Sequence, residues 1–342
     1  MKKLFIISAA AVLAIVSCTK VEDRYVGAPE SREIAFNAIA KPITRAATTA
    51  AIADAVYPDN LAMQVSAYSF PSPASTWSAG SYFEKTEFTG TNATSWKGTP
   101  ARYWPLTDAY VSFLAVAGVD ATDVTMNTPY GSTASVVYDA DSFTAQTDLM
   151  YSGKQEHVAK EGNALTYPDD ADMVFQHALA WLQFKVRVPE GASYGTAIAV
   201  TKIVINGANK TGTFTITNTG YDTVGDPTPT GSWGSFAAVA TDYDVPSSSK
   251  ATLSNSGFED CGAALLVPKA SPATSFEKFT IYYTINGQAF TFDYTPASLV
   301  LAQDTKYVYN ITFTLTEIEI DPTVDPWTNA DAVAIAVPTP AA

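Results

Sequence analysis

At 342 residues, with 34 acidic against 20 basic side chains and a formal net charge of −14, the chain presents a surface that repels nucleic acid and anionic membranes, so both are excluded as partners. Hydrophobic residues make up 47% and charged residues only 16%. Thr, Ser, Ala, Val, Tyr and Phe dominate, a composition of strands with polar loops, and the length allows two domains with sizeable cores.

The first stretch reads as an address. Met1 to Lys3 supply positive charge, and Leu4 to Val16 form an apolar run too short to span a bilayer comfortably. It ends in Ile15-Val16-Ser17-Cys18, which resembles a bacterial lipobox, so Cys18 is expected to become the lipidated N-terminus of an exported, membrane-tethered precursor. The charged Thr19-Lys-Val-Glu-Asp23 that follows is similar to a weak surface-export signal. With Cys18 modified, Cys261 is the only other cysteine; no intramolecular disulfide is possible, and a buried thiol is expected there.

In Glu33 to Ala46, Ile34, Phe36 and Ala38 alternate with Glu33, Ala35 and Asn37, the period-2 pattern of a strand with one buried face. Pro42 and the Arg45-Ala46 bond follow in a run of small residues, where a trypsin-like protease can detach the strand. Near the other end Asp331 to Pro338 repeats the pattern, with Val333, Ile335 and Val337 on one face. The sharper reading is that this second strand replaces the first in a neighbouring molecule. Alternation by itself is also the mark of two ordinary edge strands. Without residues 1–45, which hold seven of the basic and four of the acidic residues, 13 basic stand against 30 acidic, a balance of −17.

Along the remainder, strands are expected at Leu61–Phe70, Tyr82–Phe88 and Tyr110–Ala117. Residues 118–149 read mostly as loop, with a strand possible at Ser135–Tyr138. Met173 to Val188 is the strongest continuous signal, and Pro189-Glu-Gly191 after it marks the expected division between domains. Ala197–Asn206 and Gly212–Thr217 follow, then a loop from Thr219 to about Ser256. Further strands are expected at Ala263–Pro268, Phe276–Ile285 and Gln288–Tyr294, the last two flanking the hairpin signal Asn286-Gly287. Lys306–Ile320 reads as one long alternating strand. Many short strands without a convincing long helix point to an all-β fold of β-sandwiches.

Catalytic and cofactor chemistry is not expected. His177 sits in an apolar run and reads as a packed, hydrogen-bonded residue. No His-x-x-x-His, Cys-x-x-Cys, Gly-x-Ser-x-Gly or phosphate-binding glycine loop occurs. Asp139-Ala-Asp141 and Asp169-Asp-Ala-Asp172 lack the glycine and terminal glutamate of a calcium loop and read as solvated. Trp104 and Trp181 lie in apolar strand contexts and are expected in the core. Trp77, Trp96 and Trp233, near Ser/Gly loops, stay open as a sugar platform, which would suit a surface glycan-binding lipoprotein.

Several blocks together resemble the fimbrillins, major pilins of type V pili. They are the lipobox, Ile34-Ala-Phe36, Arg45-Ala46, Tyr103-Trp-Pro105, Thr147-Asp-Leu-Met-Tyr151, Phe175-Gln-His-Ala-Leu-Ala-Trp-Leu182, Lys306-Tyr-Val-Tyr-Asn-Ile-Thr312 and Trp327. The resemblance implies two transthyretin-like (Ig-like Greek-key) sandwiches with a detachable N-terminal strand and a C-terminal donor strand. Mapped here, that is a signal peptide at 1–17, a lipidated propeptide at 18–45, an N-terminal sandwich at 46–190, a C-terminal sandwich at 191–320 and a donor tail at 321–342. It implies an outer-membrane lipoprotein precursor, cut after Arg45 by an extracellular Arg-specific protease and then built into a cell-surface fimbrium. The implied partners are copies of itself or related pilins joined head to tail, in a stalk position because a transferable tail is present, with a role in adhesion. The membrane is met only through the lipid.

Overall fold

A computed structural model of the chain describes residues 32–40, 61–70, 81–91, 93–106, 109–127, 133–139, 147–161, 164–168, 171–217, 229–236, 241–269, 275–297 and 300–325. In these residues the regular structure is all β. The first half holds β1 (Ala35–Ala40), β2 (Met63–Phe70), β3 (Ser81–Thr91), β4 (Thr94–Thr99), β5 (Ala109–Ala117), β6 (Val124–Asn127), β7 (Thr133–Asp139), β8 (Met150–Glu161), β9 (Ala164–Thr166) and β10 (Ala171–His177). The second holds β11 (Ala180–Arg187), β12 (Ile198–Ala208), β13 (Thr211–Thr217), β14 (Thr230–Gly234), β15 (Thr241–Asp244), β16 (Glu259–Leu266), β17 (Lys278–Ile285), β18 (Gln288–Tyr294), β19 (Thr305–Phe313) and β20 (Ile318–Asp325).

The first sheet runs β10-β1-β4-β3-β2-β5-β8-β9, and β8 also pairs with β10, so the sheet closes on itself and leaves β9 hanging from β8. Alternate residues point inward, as a period of two requires. Met63, Val65 and Ala67 of β2, Val111, Phe113 and Ala115 of β5, and Met173 and Phe175 of β10 are buried in one core, while Asp172 and Val174 between them are exposed. In the second half, the sheets β16-β11-β19-β20 and β15-β12-β17-β18 enclose another core, with Leu182, Phe184 and Val186 against Ile203, Ile205, Phe279 and Ile281. Phe184 meets Phe279 edge-on at 5.0 Å. Asn286 and Gly287 link β17 to β18 with φ of 49° and 82°, left-handed at both positions as a two-residue hairpin turn demands.

A further sheet, β14-β13-β7-β6, takes strands from both halves. β7 and β13 pair antiparallel from Thr133↔Thr217 to Thr211↔Asp139. Val136, Tyr138, Phe214 and Ile216 pack onto Leu114 and Val116, which point outward from β5, and onto Leu149, Ala178 and Leu179. This sheet fastens one half of the chain to the other.

The structure departs from the sequence reading in five ways. The first half is one sheet rolled around its core, where two packed sheets were expected. The chain changes sheet at Ala178-Leu179, so β11, read as part of the first half, packs in the second core. No turn residue interrupts Phe175 to Val188, although Phe175 feeds one core and Leu182 and Phe184 another, so the sequence does not mark the break. Lys306–Ile320 is not continuous either. Thr314 Oγ1 accepts from the backbone N of Thr316 (3.2 Å) and Glu317 (2.8 Å), closing a turn before β20. Residues 321–325, expected in the tail, continue β20 as an edge strand of the sheet, a position that tolerates Pro322. Finally β6, β14 and β15 form where loop was expected, and β4, β8 and β9 form in stretches to which no element was assigned.

Phe214 is fully buried, with its ring 5.1 Å from Tyr151 and 5.0 Å from Trp233. Phe214→Ala should cost about 3–5 kcal/mol. Urea titration should show a lower midpoint, with intrinsic fluorescence and circular dichroism moving together because both halves share this sheet.

The inserted first strand as candidate functional site

β1 is an interior member of the closed sheet. It runs parallel to β10, in register from Phe36↔Ala171 to Ala40↔Phe175, and antiparallel to β4 through Ala35↔Lys97 and Phe36↔Trp96. Its lead-in is gripped by the Tyr103-Trp104 segment: Ile34 N donates to Arg102 O at 2.7 Å, and Trp104 N to Arg32 O at 2.9 Å. Ile34 and Phe36 are completely buried and Ala38 is 5% exposed, so the alternating face read from the sequence is the face that enters the core. The Phe36 ring lies 5.1 Å from Phe88 and 5.0 Å from Phe113, and Phe113 in turn meets Trp104 at 5.6 Å.

The outer face of β1 is lightly held. Lys97 Nζ reaches Glu33 Oε2 at 3.2 Å, and Asn37 Nδ2 donates to Asp172 Oδ1 at 3.2 Å. Both contacts are exposed, so each contributes little. Burial dominates the grip on the strand: Ile34 and Phe36 are each worth roughly 1.5–3 kcal/mol, and each ladder hydrogen bond adds about 0.5–1.5.

β10, the parallel partner, is pinned independently of β1. Gln176↔Tyr151 and His177↔Met150 join it to β8, and Ser152 Oγ donates to Val174 O at 2.7 Å. Just past it, Ala178 N donates to Leu149 O at 2.8 Å and Trp233 Nε1 to Ala178 O at 2.6 Å. His177 Nδ1 is bonded to Asp148 Oδ2. Gly118, at φ +84°, lets the chain pass against this point; a Cβ there would lie 2.1 Å from Asp148 O. Burial pulls the His177 pKa down, but the charge and hydrogen bond of Asp148 together with the charge of Asp304 raise it more, and the net position is above the ordinary histidine value. The blocks 147–151 and 175–182, far apart in sequence, therefore form one joint.

The sequence located Ile34, Phe36 and Ala38 but not their surroundings. β4 was missed because Trp96 is the only large apolar side chain between Thr94 and Thr99. That same Trp96 is 2% exposed and lies opposite Phe36, so it is core and not a sugar platform. Trp233 is half-buried and spent on Ala178. Trp104 is buried as expected, whereas Trp181 stands on the outer side of β11 with Lys306 Nζ 4.0 Å from its ring centre. Cys261 is a buried free thiol, its pKa pushed up by burial to about 12 despite Lys250 nearby. Cys18, Arg45, Ala46, Trp77, Trp327, Val333, Ile335 and Val337 lie outside the described residues.

The family model described as fimbrillin-like matches residues 44–327. The chain belongs to the fimbrillin-like family. It is accordingly a fimbrial protein of the cell surface, structural and not enzymatic. Among solved structures, a fimbrial protein from Bacteroides vulgatus aligns with a TM-score of 0.53 and 15% identity, over 78% of this chain and 93% of that one. A cell adhesion protein from Bacteroides uniformis aligns at 0.50 and 16%, over 86% and 98% respectively. These likenesses concern the fold. A comparison with curated proteins found no match.

The His177–Asp148 pair makes stability depend on pH. Because the folded pKa of His177 is raised, its contribution is complete below the unfolded value of about 6.5 and is lost as pH rises through the folded one. The difference in melting temperature between wild type and His177→Gln should thus be larger near pH 6 than near pH 9, a comparison that thermal melts at about those two values provide.

Proposed function

We propose that this fimbrial protein polymerises by strand exchange: β1 is cut away and the tail of a neighbouring copy, or of a related pilin, takes its place. The observation that carries this reading is the position of β1. It fills the space between β10 and β4 with Ile34, Phe36 and Ala38, yet it joins the rest of the chain only through residues 41–60, which contain the Arg45-Ala46 bond. Removing it would open a closed sheet, exposing two edges with unpaired backbone groups beside an apolar trough, a surface that invites another strand. β10, fastened to β8 and Asp148, would remain in place as the template.

The span of the family match is consistent with this. It begins at residue 44 and ends at 327, leaving outside it both the strand to be lost and the tail carrying Val333, Ile335 and Val337. Three apolar side chains returned to the trough gain roughly 1.5–3 kcal/mol each. That gain, with about 0.5–1.5 kcal/mol from each ladder hydrogen bond, works against an ordering cost of about 1–2 kcal/mol per tail residue. While β1 is covalently attached its effective concentration outcompetes any outside strand, so proteolysis is the switch. Head-to-tail contacts do not close, and a fibre results.

In this reading Cys18 carries the lipid of an outer-membrane precursor whose signal peptide is residues 1–17. An extracellular Arg-specific protease cuts after Arg45, and the released subunit joins a stalk that contributes to adhesion. The folded part divides into two β units at Ala178-Leu179, and the donor tail begins after Asp325.

N-terminal sequencing of assembled material should begin at Ala46. Arg45→Ala should give lipid-bound monomers on a native gel; normal fibres from it would overturn the cleavage switch. Deleting residues 331–342 should leave a folded protein that forms no multimers, and ladders from that truncation would exclude the tail as donor.

A further inference from the structure

Every strand that ends a sheet among the described residues, with one exception, carries a feature that discourages pairing with another chain. β6, β9, β14 and β15 are short. β16 is irregular against β11 between Gln183 and Lys185, with Gly262 in the left-handed region. β20 carries Glu319, Asp321 and Pro322. β18 is the exception. It pairs with β17 from Phe279↔Tyr294 to Ile285↔Gln288 without a register shift, and it contains no Pro, Gly, Lys or Arg. Its one charged side chain, Asp293, is held by Lys278 Nζ at 2.6 Å and by Thr280 Oγ1 at 2.7 Å. Because Ile285↔Gln288 closes the two-residue hairpin, alternation turns the N–H and C=O groups of Ala289, Thr291 and Asp293 away from β17. All three residues are exposed. Phe290, on the core-facing side with its ring 5.6 Å from Tyr283, is still 38% exposed.

We propose that β18 is a self-pairing edge: two copies of this chain meet antiparallel about Thr291, joining their β15-β12-β17-β18 sheets into one that runs across both molecules. About that axis Thr291 lies opposite its own copy and Ala289 opposite Asp293, so the outward N–H and C=O groups of all three are satisfied reciprocally. Phe290 falls opposite Phe292 on the core-facing side, at the non-hydrogen-bonded positions where opposing side chains approach most closely. No acid faces an acid, and Asp293 is already offset by Lys278; elsewhere the net charge of −14 keeps copies apart. Parallel pairing in register would set Asp293 against Asp293. A neighbour's tail suits the edge less well, since residues 332–337 are only Ala, Val and Ile, with no ring to set against Phe290 and Phe292. The contact is isologous and closes on two copies, so it is separate from head-to-tail growth and does not rest on it. One strand edge is a small interface, and single subunits should pair with a Kd of about 0.1 mM, leaving them monomeric on a native gel. Repeated along a fibre, the same contact holds two fibres side by side.

The test is sedimentation equilibrium of the full chain carrying Cys18→Ser and Arg45→Ala, so that neither lipid nor strand exchange contributes. A monomer–dimer equilibrium is expected between about 10 µM and about 0.5 mM. Thr291→Pro removes an outward N–H that the β17 ladder does not use, and should weaken the dimer about ten-fold or more while the subunit stays folded by circular dichroism. Thr291→Lys and Thr291→Glu should each do the same by setting like charges face to face. An equimolar mixture of the Thr291→Lys and Thr291→Glu chains should dimerise again, a recovery that a folding defect cannot mimic. A chain that stays monomeric at about 0.5 mM, a dimer unchanged by all three substitutions, or a mixture that does not recover would overturn the inference. Loss of the dimer on deleting residues 331–342 would overturn it too, by assigning the edge to the tail.

Discussion

Closure of the first sheet is the constraint on which the other features depend. A sheet whose last strand returns to its first has no free edge along the closed part, and every strand in it has a partner on each side. Here the closing contact is short, Gln176↔Tyr151 and His177↔Met150. It is reinforced by the Asp148–His177 pair and by backbone and indole hydrogen bonds at Ala178. Because the closure lies on one side of β10 and β1 lies on the other, the sheet holds its shape by one seam while its first strand occupies another. In a fold arranged this way a single strand, β1, covers the facing edges of β10 and β4 and the apolar core beneath them.

The same joint is where the chain passes from one core to the next. Phe175 belongs to the first core and Leu182 to the second, with Ala178 and Leu179 between them, buried under the sheet that β7 and β13 make together. That shared sheet gives the two halves a common apolar contact in place of a bare linker. The packing of Phe214 against Tyr151 and Trp233 adds aromatic contacts to that joint.

Much of the site was legible before any coordinates. Ile34, Phe36 and Ala38 declare their buried face by alternation, and Asn286-Gly287 declares its hairpin by the left-handed backbone those residues tolerate. Less visible were strands whose burial is not periodic. β4 has one large apolar residue, and β8 carries Gln155, Glu156 and Lys154 through a stretch that sits in the middle of the sheet. The two tryptophans in polar surroundings misled for the same reason: Trp96 and Trp233 are covered by segments distant in the chain, which local composition cannot represent.

By itself the sequence determined strand content, the inward residues of most strands, the chemistry of the first strand and of the Arg45-Ala46 bond that follows it, and the absence of recognisable catalytic motifs. These follow from period-2 patterning, turn residues and residue type, all of which are local. Only the tertiary structure decided that β1 lies between β10 and β4, that β8 closes the ring onto β10, and that β7 pairs with β13 across the two halves. Those pairings join residues as far apart as Asn37 and Asp172, and in a sheet every apolar strand face is a plausible neighbour for every other. The choice among them rests on how all the faces fill one core at once, which no single stretch of sequence encodes.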